Sequence, residues 1–340
     1  MSPQFDMPSD QVTPFEEISL NYKRNRHKRW LSTGAGDPHS AQERFAEDFF
    51  HVGSMPKFKL SKTDKIFTIG SCFARNIERE LASAGVCCLT ENPGIPPEYY
   101  TSDRDARSAM NKFNIPSMVD EIERTFASEF HEPDRYIDVG DGLYFDPSTS
   151  GLKLLPLGPL EEVKEKIKMV TSRMQQADAV IITLGLVEMW RDSVSGLYFN
   201  TSPHPQAMRR YRQRFEHMRP GFPFLKAWLY RLIDRILAIA PGTKVIISVS
   251  PVPLQATMTR DDVVASSTLS KSLLRVVAES ARQDYPQVDY FPSYEMIMHS
   301  PRALTWLEDQ VHVNPDQVAN VTRSFMTDWF DDFAAKPADG

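Results

Sequence analysis

The chain has 340 residues, of which 41% are hydrophobic and 25% charged, and its formal net charge at pH 7 is −6. This length fits one core domain of about 200–250 residues with insertions or an appendage, and the apolar fraction is ordinary for a globular protein with a sizeable core. The negative charge argues against nucleic acid as the principal partner, because the one basic cluster, at residues 23–29, is short and local.

The cysteines and the hydropathy pattern exclude further classes of protein. Three cysteines are an odd number and not a disulfide framework, and no histidine pair with metal-ligand spacing accompanies them. We therefore expect no metal and no other cofactor. The N-terminus lacks the basic and apolar regions of a signal peptide, and no apolar run approaches the ~20 residues that span a bilayer. The sequence predicts a cytoplasmic protein without an integral membrane segment.

The first half of the chain divides into three predicted parts. Residues 1–60 are polar and contain scattered prolines, which predicts an N-terminal extension packed on the core. The core domain, predicted over 61–335, opens with a buried strand at 65–69, a helix at 72–84 and a short strand at 86–89. Residues 98–158 interrupt this alternation with a helix at 118–130 and a hairpin at 136–145, which we interpret as an insertion.

Strand–helix alternation returns in the second half. Helices are predicted at 160–176, within 207–240, at 262–283 and at 315–333, and buried strands at 179–185, 244–249 and 288–291, with a loop at 191–206. Five short apolar strands separated by helices are typical of an α/β fold with a doubly wound, mostly parallel sheet and helices on both faces. Ligands of such sheets bind beyond the carboxyl ends of the strands.

Ser71 lies at one of these ends, between the first predicted strand and the helix that follows it. Its hydroxyl should face the crevice, where helix N–H groups and the positive end of the helix dipole stabilise a developing oxyanion. A serine that merely caps the helix has the same position. Cys72 is a second candidate nucleophile, although its side chain should point elsewhere. A nucleotide site is not favoured, because the Gly-rich loop and the Walker lysine are absent.

Asp309 and His312 follow the last predicted strand and are three residues apart. In a tight loop, this spacing lets the carboxylate reach the imidazole Nδ1 while Nε2 faces a serine. The pair would then serve Ser71 as a general base with its orienting group. A solvated surface pair has the same sequence pattern.

The serine after the first strand and the Asp-x-x-His motif after the last together resemble the SGNH (GDSL-type) hydrolase superfamily. The run Gly70-Ser71-Cys72-Phe73-Ala74 resembles the GSCFA family within it. Further blocks that carry the resemblance lie at 92–94, 182–190, 248–253, 290–295 and 309–312. The resemblance implies an esterase or O-acyltransferase with Ser71 as nucleophile, His312 as base and Asp309 as the third member. It also implies that the substrate is a carbohydrate or other small-molecule acyl ester.

The predicted oxyanion site departs from the superfamily pattern. There, the donors are the serine N–H, a glycine after the second strand and an asparagine after the third. Gly94 matches the glycine, but Val187 occupies the place of the asparagine. Either two backbone donors suffice, or another amide, such as that of Asn92 or Asn200, substitutes. Because one lost donor typically costs ~3 kcal/mol of transition-state stabilisation, a non-catalytic glycan or small-molecule binding protein is the alternative function.

Several residues after the third strand of the predicted sheet are candidates for substrate contact. Gly185 and Glu188 follow that strand directly, and His204 lies in the loop beyond it. Glu188 is a candidate to orient Arg75 or a substrate hydroxyl, and a surface acid at a strand end has the same position. Trp190 follows two residues later and can stack on a sugar ring, although aromatic residues more often belong to the core.

Overall fold

The computed structural model describes residues 13–33, 36–90, 92–101, 106–127 and 135–333. The strands in these ranges are β1 (Lys65–Gly70), β2 (Cys87–Cys88), β3 (Ile137–Gly140), β4 (Leu143–Phe145), β5 (Ala179–Leu184), β6 (Met189–Asp192), β7 (Phe215–Met218), β8 (Lys244–Val249) and β9 (Val288–Tyr290).

The α-helices in the same ranges are α1 (Phe15–Arg24), α2 (Ala41–Arg44), α3 (Cys72–Ser83), α4 (Ile115–Phe126), α5 (Leu157–Thr171), α6 (Pro205–Arg210), α7 (Phe222–Ile239), α8 (Val263–Asp284), α9 (Ser293–His299), α10 (Arg302–Thr305) and α11 (Pro315–Trp329). Among these described helices, none combines the length and the apolar character that a membrane crossing requires.

The central sheet has five strands in the order β2-β1-β5-β8-β9, and all neighbouring strands are parallel. This confirms the predicted doubly wound α/β fold. The chain first adds β2 on one side of β1 and then returns to build β5, β8 and β9 on the other. The strand order therefore reverses between β1 and β5, which is where sheets of this type bind ligands.

The apolar strands are buried because helices cover both faces of the sheet. Successive residues of a strand point to opposite faces. Phe67 of β1 and Ile182 of β5 accordingly pack with helices α4, α7 and α8, whereas Ile66 and Ile181 pack with α3, α9 and α11. Burial on both faces explains why the strands are nearly continuous apolar runs in the sequence.

The predicted insertion contains the elements expected of it. The hairpin is confirmed as β3 and β4, which pair antiparallel; Asp141 and Gly142 make its turn with φ values of 56° and 72°. Helix α4 begins earlier than predicted, at Ile115, because the Asn114 side chain accepts a hydrogen bond from the Ser117 N–H and caps the helix. The predicted end of this helix, at 128–130, lies outside the described residues.

One hairpin was not predicted. Strand β6 pairs antiparallel with β7, and Trp190 lies directly opposite His217. The predicted loop at 191–206 and the helical prediction over 207–240 obscured this pair, since both strands are short and half-exposed and 22 residues separate them.

The second helix of that region is α7, which begins after Gly221 with Pro223 in its first turn.

The N-terminal region contacts the core through residues 50–60. The Phe50 N–H donates to the Ser300 hydroxyl at 2.8 Å, and the Lys57 N–H donates to the Asp289 carboxylate at 2.7 Å. Leu60 forms a parallel bridge with Phe330. Helix α1, in contrast, buries none of its residues. The division into extension, core domain and insertion stays a prediction.

Candidate active site

A cavity of about 720 Å³ lies at the carboxyl edge of the central sheet. Its lining includes Ser71 after β1, Gly185 after β5, Ser250 after β8 and His312 in the loop before α11. We call it the Ser71 cavity. The fold thus brings together residues that are up to 241 positions apart in the sequence (71 to 312).

The Ser71 hydroxyl lies at the wall of this cavity and does not cap the helix. Ser71 occupies the N-cap position of α3, but its side chain makes no capping hydrogen bond. The residue is only 3% exposed, and its Oγ is buried without a hydrogen-bond partner among the described residues. The interpretation of Ser71 as a helix cap is therefore wrong. Because buried hydroxyls are normally hydrogen-bonded, the unpaired Ser71 hydroxyl indicates a role other than stabilising the fold.

Gly70 fixes the direction in which Ser71 leaves the strand. Its φ of 154° is rare for residues with a side chain, and a Cβ atom there would lie 2.5 Å from the Thr183 carbonyl oxygen of β5. The Gly70 carbonyl accepts a hydrogen bond from the Lys112 N–H at 2.8 Å. A segment of the insertion, bridged at Asn111, therefore continues the sheet beside Gly70 beyond the end of β2.

Asp309 and His312 form a pair in a tight turn, as the spacing predicts. One Asp309 oxygen accepts the N–H groups of Val311 and His312 at 2.9 Å each, and the other lies 2.6 Å from the His312 Nδ1. The turn requires a φ of 57° at Gln310. The imidazole hydrogen bond and then the two N–H groups lower the pKa of Asp309 to about 2. The carboxylate therefore stays ionised throughout the neutral range and holds the imidazole by Nδ1.

The serine and the histidine line one cavity without a direct hydrogen bond in this structure. His312 is a lining residue, its side chain is 54% exposed, and the Ser71 Oγ has no partner within the part of the chain that is described. Catalytic hydrogen bonds are often long or absent before substrate binds and tighten only in the complex. The arrangement therefore supplies a buried hydroxyl and an oriented base around the same cavity.

The other predicted site residues divide into two groups. Gly185 and Glu188 line the Ser71 cavity, whereas Asn92, Gly94 and His204 are not among the described residues that line it. The Gly94 N–H donates to the Asn92 side chain at 2.9 Å. The His204 Nδ1 accepts from the Gln206 N–H at 3.3 Å and caps α6. The roles of these three residues in the site stay predictions.

Glu188 belongs to a polar and aromatic cluster on the cavity wall. Its carboxylate accepts from the Thr257 hydroxyl at 2.8 Å and lies 3.4 Å from the His217 Nε2. The His217 ring meets Trp190 edge-on, with centroids 5.2 Å apart. Arg75 pairs instead with Glu78 at 2.7 Å, so the prediction that Glu188 orients Arg75 is wrong.

His217 was missed because its strand was missed. It reaches the cavity only through the pairing of β7 with β6, and nothing in the local sequence indicates that pairing. The lone histidine between Glu216 and Met218 has no motif around it.

The position that carries an asparagine in the superfamily is part of the core here. Val187 is fully buried, and its N–H donates to the Ser270 hydroxyl of α8 at 3.1 Å. Asn200 lines the cavity, but its amide holds the backbone of the insertion: its Nδ2 donates to the Asn111 carbonyl and its Oδ1 accepts from the Phe113 N–H, both at 2.8 Å. Asn200 thus supports the segment that lies beside Gly70.

That segment rests on a buried ion pair. Lys112 is 1% exposed, and its Nζ lies 2.8 Å from a Glu121 oxygen of α4 and donates to the Ser148 carbonyl at 2.9 Å. Burial would raise the pKa of Glu121, but Lys112 and then Arg124 outweigh it and lower the pKa to about 2. The stabilisation from this carboxylate is therefore complete above its ordinary pKa of 4.5 and is lost as the pH falls through about 2.

We expect Glu121→Gln to destabilise the fold by about 3–5 kcal/mol, because it leaves the buried Lys112 ammonium without its counter-charge. Urea unfolding at pH 7 measures the change in the free energy of unfolding. The double variant Lys112→Met with Glu121→Leu removes both charges and should recover most of the loss. A single variant within 1 kcal/mol of wild type would contradict this account.

Within the described ranges, no group of three or more His, Cys, Asp or Glu side chains converges in a way that could hold a metal ion. The described lining of the cavity includes a hydroxyl, at Ser71, and an imidazole that is paired with a carboxylate, at His312 and Asp309. The N-terminus of α3 follows Ser71 directly, and the N–H groups at the start of a helix are suited to bind an oxyanion.

The structure has a serine after the first strand of a parallel five-stranded sheet and an Asp-x-x-His motif before the last helix, which is the α/β arrangement that the sequence predicted. The model of the GSCFA family matches residues 65–325, and the chain belongs to this family. No curated protein sequence matches the chain.

Solved structures with a similar chain course include two esterases. One is a family 3 carbohydrate esterase from Clostridium thermocellum, with a TM-score of 0.35 and 10% identity over 78% of this chain and 94% of that one. The other is a mutant of an acetyl-xylooligosaccharide esterase from Geobacillus Stearmophilus, with a TM-score of 0.34 and 12% identity over 82% of this chain and 100% of that one. Likeness at this level carries no information about the activity of the present chain.

Proposed function

We propose that this protein hydrolyses acyl esters, with Ser71 as nucleophile, His312 as general base and Asp309 as the group that orients the base. The observation that carries the proposal is the unpartnered, buried Ser71 hydroxyl on a cavity that His312 also lines, with Asp309 bound to the other side of the imidazole. A buried hydroxyl without a partner lowers the stability of the fold, so its presence calls for a functional explanation.

The proposed reaction proceeds through an acyl-enzyme. The Ser71 Oγ attacks the acyl carbon, its proton passes to the His312 Nε2, and the carbonyl electron pair moves to the oxygen, where N–H groups at the start of α3 bind it. The tetrahedral intermediate collapses as His312 gives its proton to the leaving alcohol. Water, deprotonated by His312, then releases the acid and restores the serine. A second alcohol in place of water gives acyl transfer by the same steps.

The cavity wall supports a carbohydrate ester as the substrate. Trp190 is an aromatic residue of the cavity lining that can contact a sugar ring, and Glu188 and His217 provide hydrogen-bonding groups for hydroxyls beside it. This combination of an aromatic face with a few fixed polar groups is what a pocket needs in order to hold a polar ring in one orientation.

The function is tested by measuring hydrolysis of two acetate esters, p-nitrophenyl acetate and a fully acetylated monosaccharide. We expect the wild type to hydrolyse both, and Trp190→Ala to raise KM for the sugar ester by about 3- to 10-fold, the loss expected for one stacking contact. KM for p-nitrophenyl acetate should change less, since its nitrophenyl ring can contact Trp190 but carries none of the sugar hydroxyls that bind beside it. A wild type without hydrolysis of either ester would contradict the proposed function, and an equal KM change for both would contradict only the sugar subsite.

A further inference from the structure

Lys271 is a buried cation that the proposed reaction does not use. It lies on α8 and is 2% exposed, and its Nζ donates a hydrogen bond to the Gly185 carbonyl at 2.7 Å. Within the described residues, no carboxylate forms an ion pair with it. An ammonium group without a counter-charge is among the most costly groups to bury, so its place in the fold calls for a reason.

Lys271 contacts residues that line the Ser71 cavity, although it is not itself among the described lining residues. Gly185 follows β5 and lines the cavity. The Cys72 thiol, which is close enough to interact electrostatically with the Lys271 ammonium, belongs to the residue after Ser71. The neighbouring Ser270 accepts from the Val187 N–H at 3.1 Å. Helix α8 thus holds the loop after β5 at two neighbouring residues: the hydroxyl of Ser270 accepts from Val187, and the ammonium of Lys271 donates to Gly185.

The ammonium is bonded to the loop in which the superfamily pattern has lost a donor. Val187 takes the place of the asparagine whose amide would contact an oxyanion, and its side chain is buried. The N-terminus of α3, at Ser71, is itself the positive end of a helix dipole. Two positive groups, the Lys271 ammonium and the start of α3, therefore lie close to Cys72, the residue after Ser71. The negative charge that develops in the transition state and is complete in the tetrahedral intermediate would interact favourably with both positive groups. The uncharged carbonyl of the bound substrate would not.

We propose that Lys271 is a positioning residue of the Ser71 site, which fixes the Gly185 carbonyl and places a positive charge behind the developing oxyanion. This inference rests on the proposed function. When the Ser71 Oγ bonds to the acyl carbon, the serine proton goes to His312 and the carbonyl electron pair to the oxygen, and Lys271 keeps its proton throughout. Its effect is electrostatic and is stronger in the transition state than before it, which lowers the barrier without tightening substrate binding.

The protonation state of Lys271 makes the proposal sensitive to pH. Burial lowers the pKa of Lys271 to about 7, and the negative charge that Cys72 carries as a thiolate opposes this shift. Of the groups that face the ammonium, the Gly185 carbonyl from β5 does not titrate, and Cys72 from α3 is the titratable one that acts on it within the described residues. Activity should therefore fall on the alkaline side as Lys271 loses its proton.

The test compares Lys271→Met, Lys271→Arg and Ser270→Ala with the wild type, using p-nitrophenyl acetate between pH 5 and 10. Lys271→Met should lower kcat about 10- to 100-fold with little change in KM, and the alkaline limb should disappear. Lys271→Arg keeps the charge, so it should recover a substantial part of kcat and move the alkaline limb to higher pH. Ser270→Ala removes a neutral support of the same loop and should keep the wild-type pH profile.

A stability measurement separates the electrostatic role from a structural one. Because Lys271→Met removes a buried charge, it should raise Tm while it lowers kcat; a purely structural lysine would lower both together. A Lys271→Met enzyme with wild-type kcat, or equal losses of kcat in Lys271→Met and Ser270→Ala with unchanged pH profiles, would overturn the proposal. If Lys271→Met does not fold, an unshifted alkaline limb in Lys271→Arg overturns it. A wild type without ester hydrolysis instead overturns the function on which the proposal rests.

Discussion

Replacing Ser71 or His312 by alanine should each lower kcat/KM for p-nitrophenyl acetate by at least about 10³-fold. Ser71 supplies the oxygen that forms the acyl-enzyme, and no neighbouring hydroxyl takes its place after β1. His312 accepts the proton of that oxygen, and Asp309 holds its ring by Nδ1. Because the two residues act as one unit, the double variant should be hardly worse than either single variant.

Asp309→Asn should lower kcat/KM less than the loss of Ser71 or His312 does. The amide can still bond to the imidazole, but it does not stabilise the imidazolium that forms when the serine proton is taken. We expect an intermediate loss, of about 10²-fold. His51→Ala provides the matched control, because this histidine lies 3.8 Å from Asp328 and is not among the described residues that line the cavity. A His312→Ala enzyme as active as His51→Ala would contradict the role given to His312.

Gly70→Ala should both destabilise the protein and remove activity. The added methyl group would lie 2.5 Å from the Thr183 carbonyl oxygen and 2.8 Å from the Thr183 Cβ, so β1 and β5 must separate or the turn into Ser71 must change. We expect a loss of about 2–4 kcal/mol in the free energy of unfolding, measured by urea denaturation. The fall in kcat should also be larger than in a variant that loses the same free energy of unfolding away from the cavity.

Gly85→Ala separates the steric effect from the backbone effect. Gly85 also has a positive φ, of 85°, but a Cβ atom there would meet nothing within 4 Å. Its substitution should cost only the backbone strain, about 1–2 kcal/mol, and leave kcat unchanged. If Gly70→Ala and Gly85→Ala behave alike, the close approach of β1 to β5 does not determine the direction of Ser71.

Much of the fold was predictable because its strands are buried on both faces. Ala179–Leu184 is apolar at five of its six positions and Lys244–Val249 at four of six, and their short length and β-branched residues favour strands over helices. The position of Ser71 and the turn at Asp309–His312 followed from the same pattern, since both depend on local sequence.

The parts that were missed depend on contacts between distant segments. The pairing of β6 with β7 brings His217 to Glu188 across 29 positions of sequence (188 to 217), and neither strand has a strong pattern of its own. The bridge from Asn111 to Gly70 is a similar case. Lys271 lies in a correctly predicted helix, but the sequence of a helix does not indicate that one of its lysines is buried against a loop carbonyl. Side chains that act through tertiary contacts leave little local signal.

The central claim is that Ser71 is a nucleophile that His312 activates, and covalent labelling tests it most directly. The wild type, Ser71→Ala and His312→Ala are incubated with a fluorophosphonate, and the modified residue is located by mass spectrometry of the digested protein. The account predicts one adduct, on Ser71, in the wild type, a much slower adduct in His312→Ala and none in Ser71→Ala. No adduct on Ser71 at high probe concentration, or an adduct on a different residue that persists in Ser71→Ala, would contradict it.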